Sequence, residues 1–193
     1  MKTVISILLS SFFLLLGCDS SPDLSVNSIE NNPTVITTFE KIELPNSSAI
    51  WKDSLITMSQ TIDGSVGGRL IIDKYYLSEN GDSIKVKVDL IIPAGAFKGT
   101  KTITITVDQT DAAVHFYPAM AFDDTLRLFQ SFEGLNLDGY STGTIDFVYI
   151  RDDGKAELLK KNGIQIILPQ GIMRVQNAKL IHFSRYGWVR LPN

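Results

Sequence analysis

Ile84-Lys85-Val86-Lys87-Val88-Asp89-Leu90-Ile91-Ile92 decides the fold. Ile84, Val86, Val88, Leu90 and Ile92 fall on one side of a two-residue repeat and Lys85, Lys87 and Asp89 on the other, so the stretch reads as a strand with one buried and one solvated face. Leu70 to Leu77 precedes it across Ser78-Glu79-Asn80-Gly81-Asp82. Asn-Gly can take the positive φ angles of a reversing turn, which makes the two segments a β-hairpin. Ile103, Ile105 and Val107 alternate with Thr102, Thr104 and Thr106 in the same way. Further strand candidates are Thr34 to Leu44, Leu55 to Thr61, Val114 to Tyr117, Thr125 to Phe132, Thr144 to Ile150, Ala156 to Lys160, Ile164 to Leu168, Met173 to Val175 and Lys179 to Phe183. Asp152-Asp153-Gly154 and Lys161-Asn162-Gly163 punctuate the later ones. Amphipathic helical spacing is absent over any helical length, since Leu126, Leu128, Phe129 and Phe132 fit it over too short a span. Many short strands with turn residues between them predict an all-β chain folded as an antiparallel β-sandwich.

The chain begins differently. Lys2, an apolar run from Val4 to Leu16, Gly17 and the single cysteine, Cys18, form a basic, an apolar and a small-residue zone in succession. The run is short of the ~20 residues that span a bilayer. Leu15-Leu16-Gly17-Cys18 resembles a bacterial lipobox, which implies cleavage between Gly17 and Cys18, a diacylglyceryl group on the thiol and a further acyl chain on the freed amine. Two chains hold where one does not, because each buried methylene contributes about 0.8 kcal/mol. The expected layout is a signal peptide over 1–17, a lipidated cysteine and flexible polar linker over 18–33, and a sandwich domain over 34–193. The expected location is the bacterial cell envelope, anchored to the inner or outer membrane.

With Cys18 acylated, no thiol is left for a disulfide, a thiolate metal site or a cysteine nucleophile. The formal charge of −3 is unevenly spread. From Cys18 to Ile150 acids outnumber Lys and Arg by eighteen to nine; from Arg151 to Asn193 bases lead by eight to three. The tail's bases are interleaved with strand-like apolar positions rather than clustered, which favours pairing within the domain over nucleic acid.

Gly67-Gly68-Arg69-Leu70, then Leu90-Ile91-Ile92-Pro93-Ala94-Gly95-Ala96-Phe97, then Thr102-Ile103-Thr104-Ile105 occur in order, followed by Phe116-Tyr117-Pro118 and Phe122. Over residues 64–138 this series resembles the ZU5 domain, which implies a β-sandwich and protein partners reached through sheet edges or loops. Pro93 cannot donate to a ladder and so ends a strand, while Gly95 allows the tight turn that returns Phe97 over the core. His182-Phe183-Ser184 resembles a closing motif of the wider group. In death-domain proteins with a ZU5 module, and in one nucleoporin, that tripeptide cleaves itself between Phe and Ser. The resemblance implies attack of the Ser184 hydroxyl on the Phe183 carbonyl, with His182 moving the proton and backbone strain easing the acyl shift. The structural reading of the same residues is a terminal strand with Phe183 inward and Tyr186 and Trp188 as apolar anchors.

Other chemistry is weakly signalled. Gly139-Tyr140-Ser141-Thr142-Gly143 has the spacing of a hydrolase elbow, but strand-like residues follow Ser141 where a helix is required. Asn136-x-Asp138-Gly139 echoes a calcium loop, with Gly134 and Ile145 standing where carboxylates belong. Asp123-Asp124 and Asp152-Asp153 read as turn residues. His115 and His182 lack ligand spacing, and a phosphate-binding glycine loop followed by lysine is absent. The expectation is a non-enzymatic binding or supporting module. It would have no cofactor, metal or small-molecule substrate, a membrane contact through Cys18, and an envelope protein as partner, met at the aromatic-bearing turns Phe116 to Phe122 and Tyr140. A carbohydrate-binding module is the other alternative, with Trp51, Trp188 and Tyr140 as its platform.

Overall fold

A computed structural model describes residues 33–46 and 56–192. Gly17, Cys18 and Trp51 lie outside the described residues. In chain order the strands are β1 (Val35–Ile36), β2 (Glu40–Lys41), β3 (Thr57–Asp63), β4 (Gly68–Leu77), β5 (Ser83–Ile92), β6 (Thr100–Val107) and β7 (Ala113–Tyr117). They continue with β8 (Ala121–Glu133), β9 (Ile145–Ile150), β10 (Ala156–Leu158), β11 (Gly163–Ile167), β12 (Ile172–His182) and β13 (Arg185–Arg190). A 3-10 turn, Leu168–Gln170, joins β11 to β12.

Two antiparallel sheets pack face to face. One has the order β1-β10-β9-β13-β7-β6-β3, with β2 also paired to β13; the other has the order β11-β12-β8-β5-β4. The hairpin read from the sequence is present, running in register from Gly68 opposite Ile92 to Leu77 opposite Ser83. Its five-residue loop needs only Gly81 at positive φ; Asn80 does not take that conformation. The alternation also holds: Leu70, Val86, Val88, Leu90, Leu126 and Leu128 line the inner face of the smaller sheet, and Ile103, Ile105, Val114, Phe147 and Trp188 face them from the larger one.

Three strand expectations change. Thr34 to Leu44 is not one strand but β1 and β2, with Ile42 and Leu44 turning into the core afterwards. Met173 to Val175 and Lys179 to Phe183 are one strand, β12, carried through a register shift at Asn177. Asn177 sits at φ 53, a left-handed angle that asparagine tolerates better than most residues. β13 is an additional strand, central in its sheet. Trp188 faces the main core, and Val189 faces a small outer cluster with Val148, Ile150 and Ala156 that Ile36 and Phe39 cover. Both faces are therefore buried and the two-residue pattern disappears.

The glycine and Ile-Pro motifs meet at one end of the sandwich. The turn between β3 and β4 packs on the turn between β5 and β6: Gly64 N–H donates to Gly99 O at 2.9 Å and Gly95 N–H to Gly64 O at 2.7 Å. Gly67 has φ +76, and a Cβ there would stand 2.4 Å from the Ile92 carbonyl oxygen; at Gly68 it would stand 2.5 Å from Ile62 Cδ1. Pro93 directly follows the end of β5, and Phe97 is buried at 5% exposure. Gly67 is thus explained by close approach of two backbones, and Gly68 by the Ile62 side chain packed against it.

Candidate functional site

His182, Phe183 and Ser184 form the passage from one sheet to the other. His182 ends β12 and Arg185 opens β13, so the chain crosses the core within two residues. Phe183 N–H donates to Met120 O at 2.7 Å, and Phe116 N–H donates to Ser184 O at 2.9 Å. The Phe183 ring is buried, stacked on Phe116 at 5.3 Å and edge-on to Phe122 at 4.7 Å. Four residues past His182, the fully buried Tyr186 donates its hydroxyl to the His182 carbonyl at 2.6 Å. The Tyr186 hydroxyl oxygen also lies 3.2 Å from His182 Nδ1, which suits the tautomer that carries its proton there. A tyrosine bonding back to the backbone a few residues upstream, where a chain changes sheets, is the device known as a tyrosine corner in β-sandwiches. Burial lowers the basicity of His182, with Glu157 opposing, and the ring packs edge-on to Tyr149 at 4.3 Å. Among the described residues, no hydrogen bond joins His182 to the Ser184 hydroxyl.

Arg185, next in the chain, anchors this passage to the loop between β6 and β7. Its guanidinium donates to Asp108 Oδ2 at 2.8 Å and to Asp111 Oδ2. His115 Nε2 lies 3.0 Å from Asp108 Oδ2, and Lys41 Nζ lies 3.1 Å from Asp111 Oδ2. Burial opposes ionisation of Asp108. Bonds from His115, from the Thr110 amide and hydroxyl, and from the Asp111 amide outweigh it and hold the carboxyl well below the usual range. These residues, unremarkable in sequence because 77 positions separate Arg185 from Asp108, show where the basic tail meets the acidic body. Lys161 with Asp146, Arg174 with Glu133 and Arg190 with Glu40 repeat the pattern.

A third feature is an opening between the sheets. β3 and β4 end their respective sheets, and between them lies a groove of about 360 Å³ lined by Leu44, Ile56, Met58, Ile72, Tyr75 and Tyr76, among others. That volume lies within the range of ligand sites. Burial pushes the Tyr76 phenol up to about 12, and its hydroxyl donates to the Pro45 carbonyl at 3.2 Å. Lys74 also lines the groove, on the same inward side of β4 as Leu70, Ile72 and Tyr76, and makes no ion pair among the described residues.

The remaining candidates separate. Ser141 is exposed in a loop that leads through a turn into β9, so no helix N-terminus faces its hydroxyl. Asn136 Oδ1 accepts the Asp138 amide at 2.9 Å, closing a turn. Asp152 and Asp153 occupy a turn, with Asp153 paired to Arg151 and Lys155. Asp123 and Asp124 belong to the long strand β8 and not to a turn, a correction that follows from β8 beginning at Ala121. Trp188 is 1% exposed and donates its indole N–H to Gln130 at 2.8 Å, so it cannot join a carbohydrate platform. Tyr140 is half-buried beneath the Arg190 guanidinium. Among the described residues, no three His, Cys, Asp or Glu side chains converge as a metal site, and no helix is long and apolar enough to cross a membrane. No known protein family, curated protein or solved structure matches this chain.

Proposed function

We propose that the chain is a bacterial envelope lipoprotein, anchored through Cys18, whose ZU5-like sandwich binds a protein partner without catalysis. The groove between the free edges of β3 and β4 carries this reading. An edge strand offers unpaired N–H and C=O groups, and an extended peptide can add to it while its alternate side chains fill apolar pockets. Lys74 in the groove discourages indiscriminate strand pairing, as inward charges on edges do, and favours a partner segment with an acidic residue opposite it. A photo-crosslinking residue in place of Met58, which lines the groove from the inward side of β3, in the native lipoprotein, is expected to capture one envelope protein. A yield no greater than from the same probe at Ser59, on the polar outer face of β3, would refute the groove.

Self-cleavage at Phe183-Ser184 is the second reading of the chain's end. The hydrogen bonds support a structural corner instead: His182 is engaged by Tyr186, and both backbone groups flanking the Phe183-Ser184 bond, Phe183 N–H and Ser184 C=O, are paired. One unbroken mass from purified protein is expected. A break after Phe183 that disappears in Ser184→Ala would establish cleavage.

A further inference from the structure

The two outward faces of the sandwich differ in chemistry. On the larger sheet, β3 and β6 present an uncharged hydroxyl ladder, Thr57 with Thr106, Ser59 with Thr104 and Thr61 with Thr102. On the smaller sheet, five large apolar side chains face outward: Ile71, Tyr75, Leu77, Phe129 and Ile181, with Tyr75 and Ile181 each 58% exposed. Register places cations among them. Arg69, Ile91, Arg127 and Lys179 form one row across β4, β5, β8 and β12; Ile71, Asp89 and Phe129 form the next; Asp73, Lys87, Ser131 and Arg174 the third. Tyr75, Lys85 and Glu133 complete the set.

Within these rows six bases meet three acids, in a chain whose net charge is −3. Each acid is already paired: Asp89 bidentately with Arg69, Asp73 with Lys85 and Glu133 with Arg174. Lys87, Arg127 and Lys179 make no ion pair among the described residues and surround Phe129. Apolar side chains interspersed with uncompensated Lys and Arg match an interface of acyl chains beneath anionic headgroups. The anchor supplies proximity: at up to about 3.5 Å per residue, the stretch from Cys18 to Pro33 spans at most about 50 Å whatever its conformation. Such a tether turns a weak second contact into an intramolecular one.

We infer that the outward face of the five-stranded sheet docks on an anionic phospholipid surface, giving this protein a second membrane contact beside its lipid. The inference rests on the lipoprotein reading, and its test leaves aside Ile71 and Tyr75, which also border the groove. Each Lys or Arg near an anionic surface raises partitioning about fivefold, so three together contribute about a hundredfold. Cys18→Ser in the chain from residue 18 removes the lipid and isolates this contact. This protein is expected to co-sediment with vesicles of equal parts phosphatidylglycerol and phosphatidylcholine, to ignore phosphatidylcholine alone, and to detach as salt rises. Combined Lys87→Gln, Arg127→Gln and Lys179→Gln should weaken binding about a hundredfold, and Phe129→Ser should weaken it further. The same neutralisation at Lys98, Lys101 and Lys155 should leave binding unchanged, with unfolding midpoints of all variants checked in parallel. Absence of vesicle binding, or equal loss from the two triple variants, overturns the inference. If vesicles bind while the Met58 probe captures no protein, the groove reading fails and this one stands.

Discussion

Tyr186→Phe tests whether the sheet passage is held by a tyrosine corner. The substitution keeps the ring, which is fully buried between Phe116 and Tyr149, and removes only the hydroxyl. A 2.6 Å bond to the His182 carbonyl is lost, along with the contact to Nδ1 at 3.2 Å. A hydrogen bond contributes about 1 kcal/mol net, and a buried acceptor left without a donor costs about 1–3 kcal/mol. The carbonyl sits at a half-buried residue, so the expected cost is the middle of that second range, about 2 kcal/mol. For a domain of this size that shifts the melting temperature down by about 4–8 °C. Urea unfolding followed by tryptophan fluorescence measures it directly, because Trp188 lies in the core two residues away. Tyr149→Phe is the control: its hydroxyl makes no hydrogen bond among the described residues, and its loss should cost under about 0.5 kcal/mol. A Tyr186→Phe effect as small as the control's would refute the corner.

The motif glycines should separate by cause. Gly67→Ala combines left-handed strain with a Cβ driven into the Ile92 carbonyl and should cost more than about 3 kcal/mol, whereas Gly95→Ala, at φ +85 with open space around it, should cost about 1 kcal/mol. Thermal melts of the two variants decide this, and equal losses would contradict it. Stability should also fall with acid in two steps. His182 is held less basic than in the unfolded chain, so its contribution is complete above about pH 6.5 and declines as pH drops below that; His182→Gln should flatten this step. Asp108 is held more acidic than when unfolded, so its contribution is complete above about pH 4 and is lost below it; Asp108→Asn should remove that step. Unfolding midpoints across pH for both variants check the assignments.

Legibility followed exposure. Where one face is wet and the other dry, as along β4, β5 and β6, the alternation of residue types matches the strands. Where both faces are covered, Arg185-Tyr186-Gly187-Trp188-Val189-Arg190 shows no alternation, and a central strand was invisible. The break seen between Val175 and Lys179 is a bulge within one strand, a distinction that depends on what β8 offers opposite it. Pro93, Gly95 and Phe97 were legible as turn and core residues because φ restrictions are local. That the two turns touch was not, since contact between distant backbones leaves no local trace.

By itself the sequence determined what depends on neighbours a few positions apart: strand period, turn chemistry, the all-β class and the lipobox resemblance at Cys18. Tertiary structure alone decided what depends on distant pairing. It set Arg185 between Asp108 and Asp111, made β3 and β4 the last strands of their sheets beside a groove among the described residues, and gathered Lys87, Arg127 and Lys179 around Phe129 on one sheet face. The physical reason is range: backbone preference and hydrophobic period act along the chain, whereas charge pairing and surface composition act across strands that only the fold makes neighbours.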